Sequence, residues 1–346
     1  MGNWRPVVHR VARLPRGEPV ADHLSRRGDL MIPVELPGIE LPGPKSWAAP
    51  ALALGANIKV NRGELKQTAV LARTKTKISP SLYSRLEKGD IRVDKPFLVN
   101  QLLDALGVQD PAYRKYLQRL AVSASHEGWA SAHRSKNREA IPETMVRLTS
   151  LEESTSDLFV VEMHAIPGVL QTDAYRDLIT RKTLTASQRI QKLAEAIIEV
   201  RGERQRRFME RPPSSSVFFI RQGVLYAHFG EPAVLVSQLE ALLGYIQDRT
   251  SPIGIRVITE RAPLVVAISS LARLVFEPGP FTVPDVFYKE VGARAEFHRG
   301  PLHGERAEDD YTDLQDVVDT VIQEAPGYLA SRRLIEEALE DTRRLL

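Results

Sequence analysis

The chain has 346 residues, enough for about two domains with cores of their own, and its 43% hydrophobic, 6% aromatic and 26% charged content is that of an ordinary folded protein. It has no cysteine, which excludes disulfides, a thiolate nucleophile and a thiolate metal site and fits a reducing cytoplasm; no apolar run approaches the ~18 residues of a membrane span. The net charge of +3 is uneven: residues 1–100 carry 17 Lys+Arg against 9 Asp+Glu, a balance of +8, and the remainder carries 30 against 35, or −5. A basic N-terminal part on an acidic body suits nucleic acid or another anion, or is simply a solvated basic surface.

Residues 1–50 form a Pro/Gly/Arg-rich extension. Prolines 33, 37, 42 and 44 forbid a helix and favour an extended path. The arginines at 5, 10, 13 and 16 precede no apolar segment of signal-peptide length. Residues 51–122 read as an all-α domain of five short helices over 52–61, 67–74, 80–88, 95–106 and 111–121. The third is the most legible. Ser79 sits at the N-cap, Pro80 at the first helical position and Gly89 at the C-cap; Leu82, Tyr83 and Leu86 make an apolar back, and Ser81, Ser84, Arg85 and Lys88 a polar front.

Residues 123–140 are polar and read as a linker. From 141 to 346 the pattern is mixed: helices over 145–154, 173–181, 186–209, 232–248, 311–324 and 327–344, and strand-like runs at 157–164, 217–220, 254–259, 264–268, 272–277, 286–291 and 294–297. The fold class is therefore α+β, an all-α domain followed by a mixed α/β one.

Catalytic motifs are informative by absence. There is no dinucleotide fingerprint, P-loop, His-Glu-x-x-His or Gly-x-Ser-x-Gly, so any enzyme chemistry is expected to be cofactor-free acid/base catalysis without a metal. The candidates lie in the second domain. Glu162 and His164 alternate on one strand and run into a Pro-Gly turn followed by Gln171 and Tyr175; Gln222, Tyr226 and His228 form a second group; Tyr288 and Glu290 alternate on a later strand; His298 and His303 sit near Glu305, Asp309 and Asp310. We assign Glu162, His164, Gln222, Tyr226, His228 and Glu290 to catalysis, and Gln171, Tyr175, Tyr288 and His298 to substrate binding. Each has a plain structural alternative: a paired carboxylate, a core histidine or a packing tyrosine.

The segments LGA (54–56), ISPS (78–81), SRLEKG (84–89) and LLDALGV (102–108) resemble the Cro/repressor-type helix-turn-helix of the XRE family. IPGVLQTDAY (166–175), RGERQRRF (201–208), QLEALL (238–243), GPF (279–281) and VFYKE (286–290) resemble the domain that follows such modules in actinobacterial regulators. The resemblance implies a five-helix DNA-binding domain, a sensor-like α+β domain and transcriptional regulation, with Ser81, Ser84, Arg85 and Lys88 facing DNA. The chain departs from the pattern between LGA and ISPS. Thr68-Ala69 stands where the phosphate-binding Gln is expected, with Gln67 two positions early. Asn61 and Thr76 occupy apolar positions, and Lys77 replaces the turn glycine, where left-handed geometry costs about 1 kcal/mol or more.

Two functions follow as expectations. The first, preferred because the departures fall where DNA contact is required, is a cofactor-independent cyclase or dehydratase of natural-product biosynthesis acting on a polyketide- or peptide-like small molecule. The second is a DNA-binding regulator whose C-terminal domain senses a ligand or protein partner. Neither needs a membrane, and a homodimer is left open.

Overall fold

The computed structural model describes residues 47–346 except 76, 94, 96, 184–187, 249, 263–268, 278–282, 292–293 and 303–304. The N-terminal extension, save residues 47–50, and the expected strand at 264–268 thus lie outside the described residues, as does His303.

Five helices come first: α1 (Ala48–Arg62), α2 (Gln67–Leu71), α3 (Pro80–Lys88), α4 (Phe97–Ala105) and α5 (Pro111–Ser123). The caps of α3 act as the sequence predicts. Ser79 Oγ accepts from Leu82 N at 3.1 Å, and Gly89 closes the helix at φ 67°. Gly55 and Gly89 also let α1 and α3 touch. A Cβ on Gly55 would stand 2.3 Å from the Leu86 carbonyl oxygen, and one on Gly89 2.5 Å from the Leu52 Cα. Two of the segments that carried the resemblance, LGA and SRLEKG, are therefore explained by this one helix crossing.

The departures from the pattern are absorbed locally. Asn61 donates to the Tyr113 hydroxyl at 2.8 Å, and that hydroxyl donates to Asn57 Oδ1 at 2.9 Å, which replaces an apolar contact with a polar trio. Among the described residues Phe229 is the sole non-glycine at positive φ, so Lys77 avoids the left-handed conformation. Helix α2 starts at Gln67 and stops at Leu71, and residues 72–79 separate it from α3. A helix-turn-helix has a turn of about 3–4 residues, so this pair departs from that geometry.

The region expected as a linker holds another helix, α6 (Trp129–Lys136). Its one buried side chain is Ala130, so it lacks the apolar stripe that would have revealed it; Trp129 instead meets His133 at 5.7 Å and lies under the Arg207 guanidinium at 5.2 Å. After α7 (Glu143–Glu152) comes a six-stranded sheet of β1 (Thr155–Glu162), β2 (Ser215–Arg221), β3 (Ile253–Ile258), β4 (Ser270–Phe276), β5 (Val286–Val291) and β6 (Arg294–Arg299), in the order β3-β2-β1-β4-β5-β6. The β1–β2 and β2–β3 pairs are parallel and the remainder antiparallel. The helices α8 (Asp173–Thr183) and α9 (Gln188–Glu210) connect β1 to β2, and α10 (Pro232–Gln247) connects β2 to β3, as parallel pairing requires.

Strand alternation gives the sheet two apolar faces. On one, Val161, Phe219, Leu271 and Phe287 pack against Tyr311, Leu314 and Val318 of α11 (Asp309–Glu324). On the other, Leu158, Val160, Phe218 and Leu274 belong to a single buried cluster that also holds Leu148 of α7, Leu54 of α1 and Ile335 of α12 (Tyr328–Arg343). The five-helix module and the α+β part thus share one core. Polar links reinforce it: Ala48 N donates to Ser150 Oγ at 2.9 Å, Arg147 to Asp90 at 2.8 Å, and Lys59 pairs with Glu305 at 2.6 Å. Among the described residues no helix is long and apolar enough to cross a membrane.

Candidate functional site

Cross-strand register sets the floor of the site. Glu162 of β1 pairs with Ser270 of β4, and Ser270 with Glu290 of β5, so the three side chains form one row across the sheet. One row along the same face, Tyr288 of β5 stands beside Ala272 of β4. Above this row is a partly open pocket of 220 Å³, walled by Met145, Leu148 and Glu152 of α7 and by Arg201 and Arg204 of α9, with the turn at 165–171 as its roof.

The roof is built by side chains that grip backbone. Gln171 Nε2 donates to the Ile166 carbonyl at 2.8 Å, and Gln205 Nε2 donates to the Gln171 carbonyl at 2.5 Å. Gln238 of α10 donates to the Leu170 carbonyl at 2.9 Å and accepts from Thr172 N at 2.7 Å. The motifs IPGVLQT, RGERQRRF and QLEALL therefore converge on one loop. Gln171 Oε1 is buried and without a hydrogen-bond partner. Gly202 leaves room for the Arg176 guanidinium, which would lie 3.2 Å from a Cβ there.

The electrostatics are those of a buried polar site. Burial raises the Glu162 pKa to about 8; the 2.9 Å hydrogen bond from the Ser270 hydroxyl works against the rise, and the Glu290 carboxylate adds to it. Glu162 is thus largely protonated at neutral pH. Burial, then the Glu290 carboxylate, push the Tyr288 phenol upward, and its hydroxyl donates to Glu290. Burial acts against the Arg204 charge, but Glu152, held at 2.6 and 2.9 Å, outweighs it and keeps its pKa high. Burial, with repulsion from Arg204, lowers Arg201, which donates to the Thr180 hydroxyl at 3.1 Å. A protonated carboxyl beside a second carboxyl group, next to a phenol and two guanidinium groups, can donate and accept protons and can bind a small polar molecule.

Five of the residues singled out in the sequence meet here: Glu162, His164, Gln171, Tyr288 and Glu290 all line the pocket. The others do not. Gln222 accepts from Glu260 N at 3.4 Å, Tyr226 is exposed beside α12, and His228 Nδ1 accepts from Gly230 N at 3.1 Å; all three follow β2 away from the pocket. Tyr175 is buried against Phe229 at 6.2 Å, and burial raises its pKa to about 12. His298 pairs in register with Phe287, which puts it on the opposite face from Glu290, within 3.8 Å of Asp310. Sequence reasoning missed Glu152, Arg201, Arg204 and Ser270. Arg201 and Arg204 carried a signal, since RGERQRRF places two arginines about one turn apart on a helix.

A second cavity lies beside α3. This groove of 780 Å³ is bordered by Leu82, Arg85, Phe97, Arg134 and Arg138, and on its far side by Glu143 and Val146 of α7. Ser81, Arg85 and Lys88 are exposed and Ser84 is half-buried, and among the described residues none of the four makes an ion pair.

A model of the family described as Domain of unknown function (DUF5753) matches residues 145–323, which is 179 of the 346 residues. No curated protein and no solved structure matches the chain. The matched segment contains all six strands and every residue that lines the Glu162 pocket. The module α1–α5 lies outside it, and its likeness to a helix-turn-helix rests on its motifs alone. The chain belongs to the DUF5753 family.

Proposed function

We propose that the protein is a ligand-responsive DNA-binding regulator: the Glu162 pocket holds a small polar molecule, α7 transmits its presence, and α3 presents Ser81, Ser84, Arg85 and Lys88 to DNA. The observation that carries this reading is the position of α7 between the two cavities. Its Met145, Leu148 and Glu152 wall the pocket, while its Glu143 and Val146 border the α3 groove. Its Ser150 and Arg147 hold the start of α1 and the residue after the α3 cap. A ligand that shifts α7 therefore has a direct mechanical route to α3.

Charge supports the DNA face. Residues 67–95 hold seven Lys/Arg (73, 75, 77, 85, 88, 92, 95) against three Asp/Glu (87, 90, 94), and Glu87 is already neutralised by Arg62 at 2.6 Å. The test is a salt titration of binding to DNA from upstream of the protein's own gene. The double variant Arg85→Ala/Lys88→Ala is expected to bind more weakly and to reduce the slope of log K against log salt by about 1.8. An unchanged slope, or no sequence-specific binding by the unaltered protein, overturns the reading.

A second reading is a cofactor-free acid/base enzyme, and the protonated Glu162 beside Glu290 favours it. The 220 Å³ of space suits a compact molecule, not the polyketide- or peptide-like chain expected from the sequence, and this places it second. Turnover of a compact substrate by purified protein, abolished in Glu162→Gln, would establish it.

A further inference from the structure

Arg201 and Arg204 stand about one turn apart on α9 and both reach the pocket, but their surroundings differ. Arg204 has its counter-charge in Glu152, at 2.6 and 2.9 Å through two nitrogens. Arg201 has none. It donates to the Thr180 hydroxyl, and among the described residues no carboxylate lies within ion-pair distance of it. A guanidinium held largely out of water without an anion is costly, and the cost disappears when a ligand brings one. Planar guanidinium prefers a planar, two-oxygen anion.

The remaining groups define the rest of the ligand. Gln171 Oε1 is a buried acceptor that lacks a donor, so the ligand should carry an N–H or O–H in addition to its charge. The space available is below the ~300 Å³ at the lower end of drug-sized sites, which restricts the ligand to a few carbons. We propose that the pocket takes a small carboxylic acid bearing a neighbouring hydroxyl or amino group, its carboxylate on Arg201 and its second donor on Gln171. The proposal rests on the reading of this pocket as the ligand site.

Charge balance sets how binding depends on pH. The groups around Glu162 are Glu152 from α7, Arg201 and Arg204 from α9, Ser270 from β4, Tyr288 and Glu290 from β5, and the exposed His164 at the rim. With Glu162 protonated, two guanidinium groups balance two carboxylates, and the site accepts an anion while the Glu162 hydroxyl remains a donor. Ionised Glu162 adds a negative charge that repels it. Affinity for the acid is therefore highest below the Glu162 pKa of about 8 and falls above it by up to tenfold per pH unit.

The experiment uses the full chain and four probes of one size: 2-hydroxybutyrate, 2-aminobutyrate, the neutral 2-hydroxybutyramide and the cationic 1-amino-2-butanol. Calorimetry and thermal melting are run at pH 6.5 and pH 9. The acids should bind at pH 6.5 and weaken by up to about tenfold at pH 9, and the amide should bind at least tenfold more weakly than its acid. Arg201→Gln should lose at least tenfold in acid affinity while its unliganded Tm changes little, because Arg201 pairs with no carboxylate at ion-pair distance among the described residues. Arg201→Lys should fall between the two, and Glu162→Gln should bind the acid with no fall at pH 9. Equal binding of acid and amide, preference for the amine, unchanged affinity in Arg201→Gln, or no binding by either acid overturns the proposal. Preference for the amine leaves the ligand-site reading intact. Acids that bind without altering DNA affinity leave the proposal standing and sink the regulatory reading.

Discussion

Arg147 of α7 donates a 2.8 Å hydrogen bond to Asp90, the residue after the Gly89 cap of α3, and the same guanidinium lies 4.5 Å over the Phe297 ring of β6. One side chain thereby ties the last strand of the sheet to the end of α3. Arg147→Ala should cost about 1–3 kcal/mol in denaturant unfolding, the sum of a charged hydrogen bond and a cation–π contact. Under the proposed regulatory function it should also leave DNA affinity intact while abolishing its response to ligand. A variant that keeps the full response removes α7 from the coupling route.

The raised Glu162 pKa is a statement about stability as well as chemistry. The folded state binds the Glu162 proton up to about pH 8, whereas the unfolded chain releases it near its ordinary value of 4.5. Between these values the folded protein holds more protons, so the Glu162 contribution to stability falls as pH rises and levels off above about pH 8, by an amount on the order of a few kcal/mol. Glu162→Gln should flatten this part of the profile and be the more stable protein at pH 8.5. A profile from chemical denaturation that is identical for the two proteins would show that Glu162 ionises in the fold as it does in water.

Gly55→Ala separates helix propensity from packing. Alanine is the better helix former by about 1 kcal/mol, yet its Cβ would meet the Leu86 carbonyl oxygen at 2.3 Å, and backbone cannot swing aside as a side chain can. The net change should be a loss of about 1–3 kcal/mol, read as a lower Tm. A rise in Tm would mean that α1 and α3 separate at little cost.

Glu87 is 3% exposed and accepts from Arg62 Nε and Gln67 Nε2, each at 2.6 Å, so it braces α1 and α2 against α3. Glu87→Gln leaves the Arg62 charge without its anion and should cost about 3–5 kcal/mol by thermal or denaturant unfolding. The same change should leave ligand affinity at the Glu162 pocket untouched in whatever fraction remains folded.

Much of this architecture is local, and local structure was legible. The Ser79 cap, Pro80 and Gly89 gave α3 its limits to the residue, and alternation put Glu162, Tyr288 and Glu290 on strands whose neighbours proved to align them. What the sequence concealed depends on residues far apart. Ser270 falls between the strand-like runs 264–268 and 272–277 until β4 starts there and register places it between Glu162 and Glu290, and Glu152 has no special look until α9 brings Arg204 to it. His298 shows the converse: its spacing from Glu290 says nothing of face, because the β5–β6 hairpin inverts the alternation. Helix α6 escaped because Ala130 and Trp129, the latter under the Arg207 guanidinium, hold it and it carries no apolar stripe.

The row Glu162–Ser270–Glu290 also fixes an order of events during synthesis. The contacts of α1 and α3 with α7 need the chain only to Glu152, whereas the floor of the pocket needs β5 and Glu290 and the shared core needs Ile335 of α12. At about 5–20 residues per second the intervening stretch takes roughly 7–28 s to emerge. For that interval each nascent chain carries the residues of the α3 face but lacks those that complete the pocket floor.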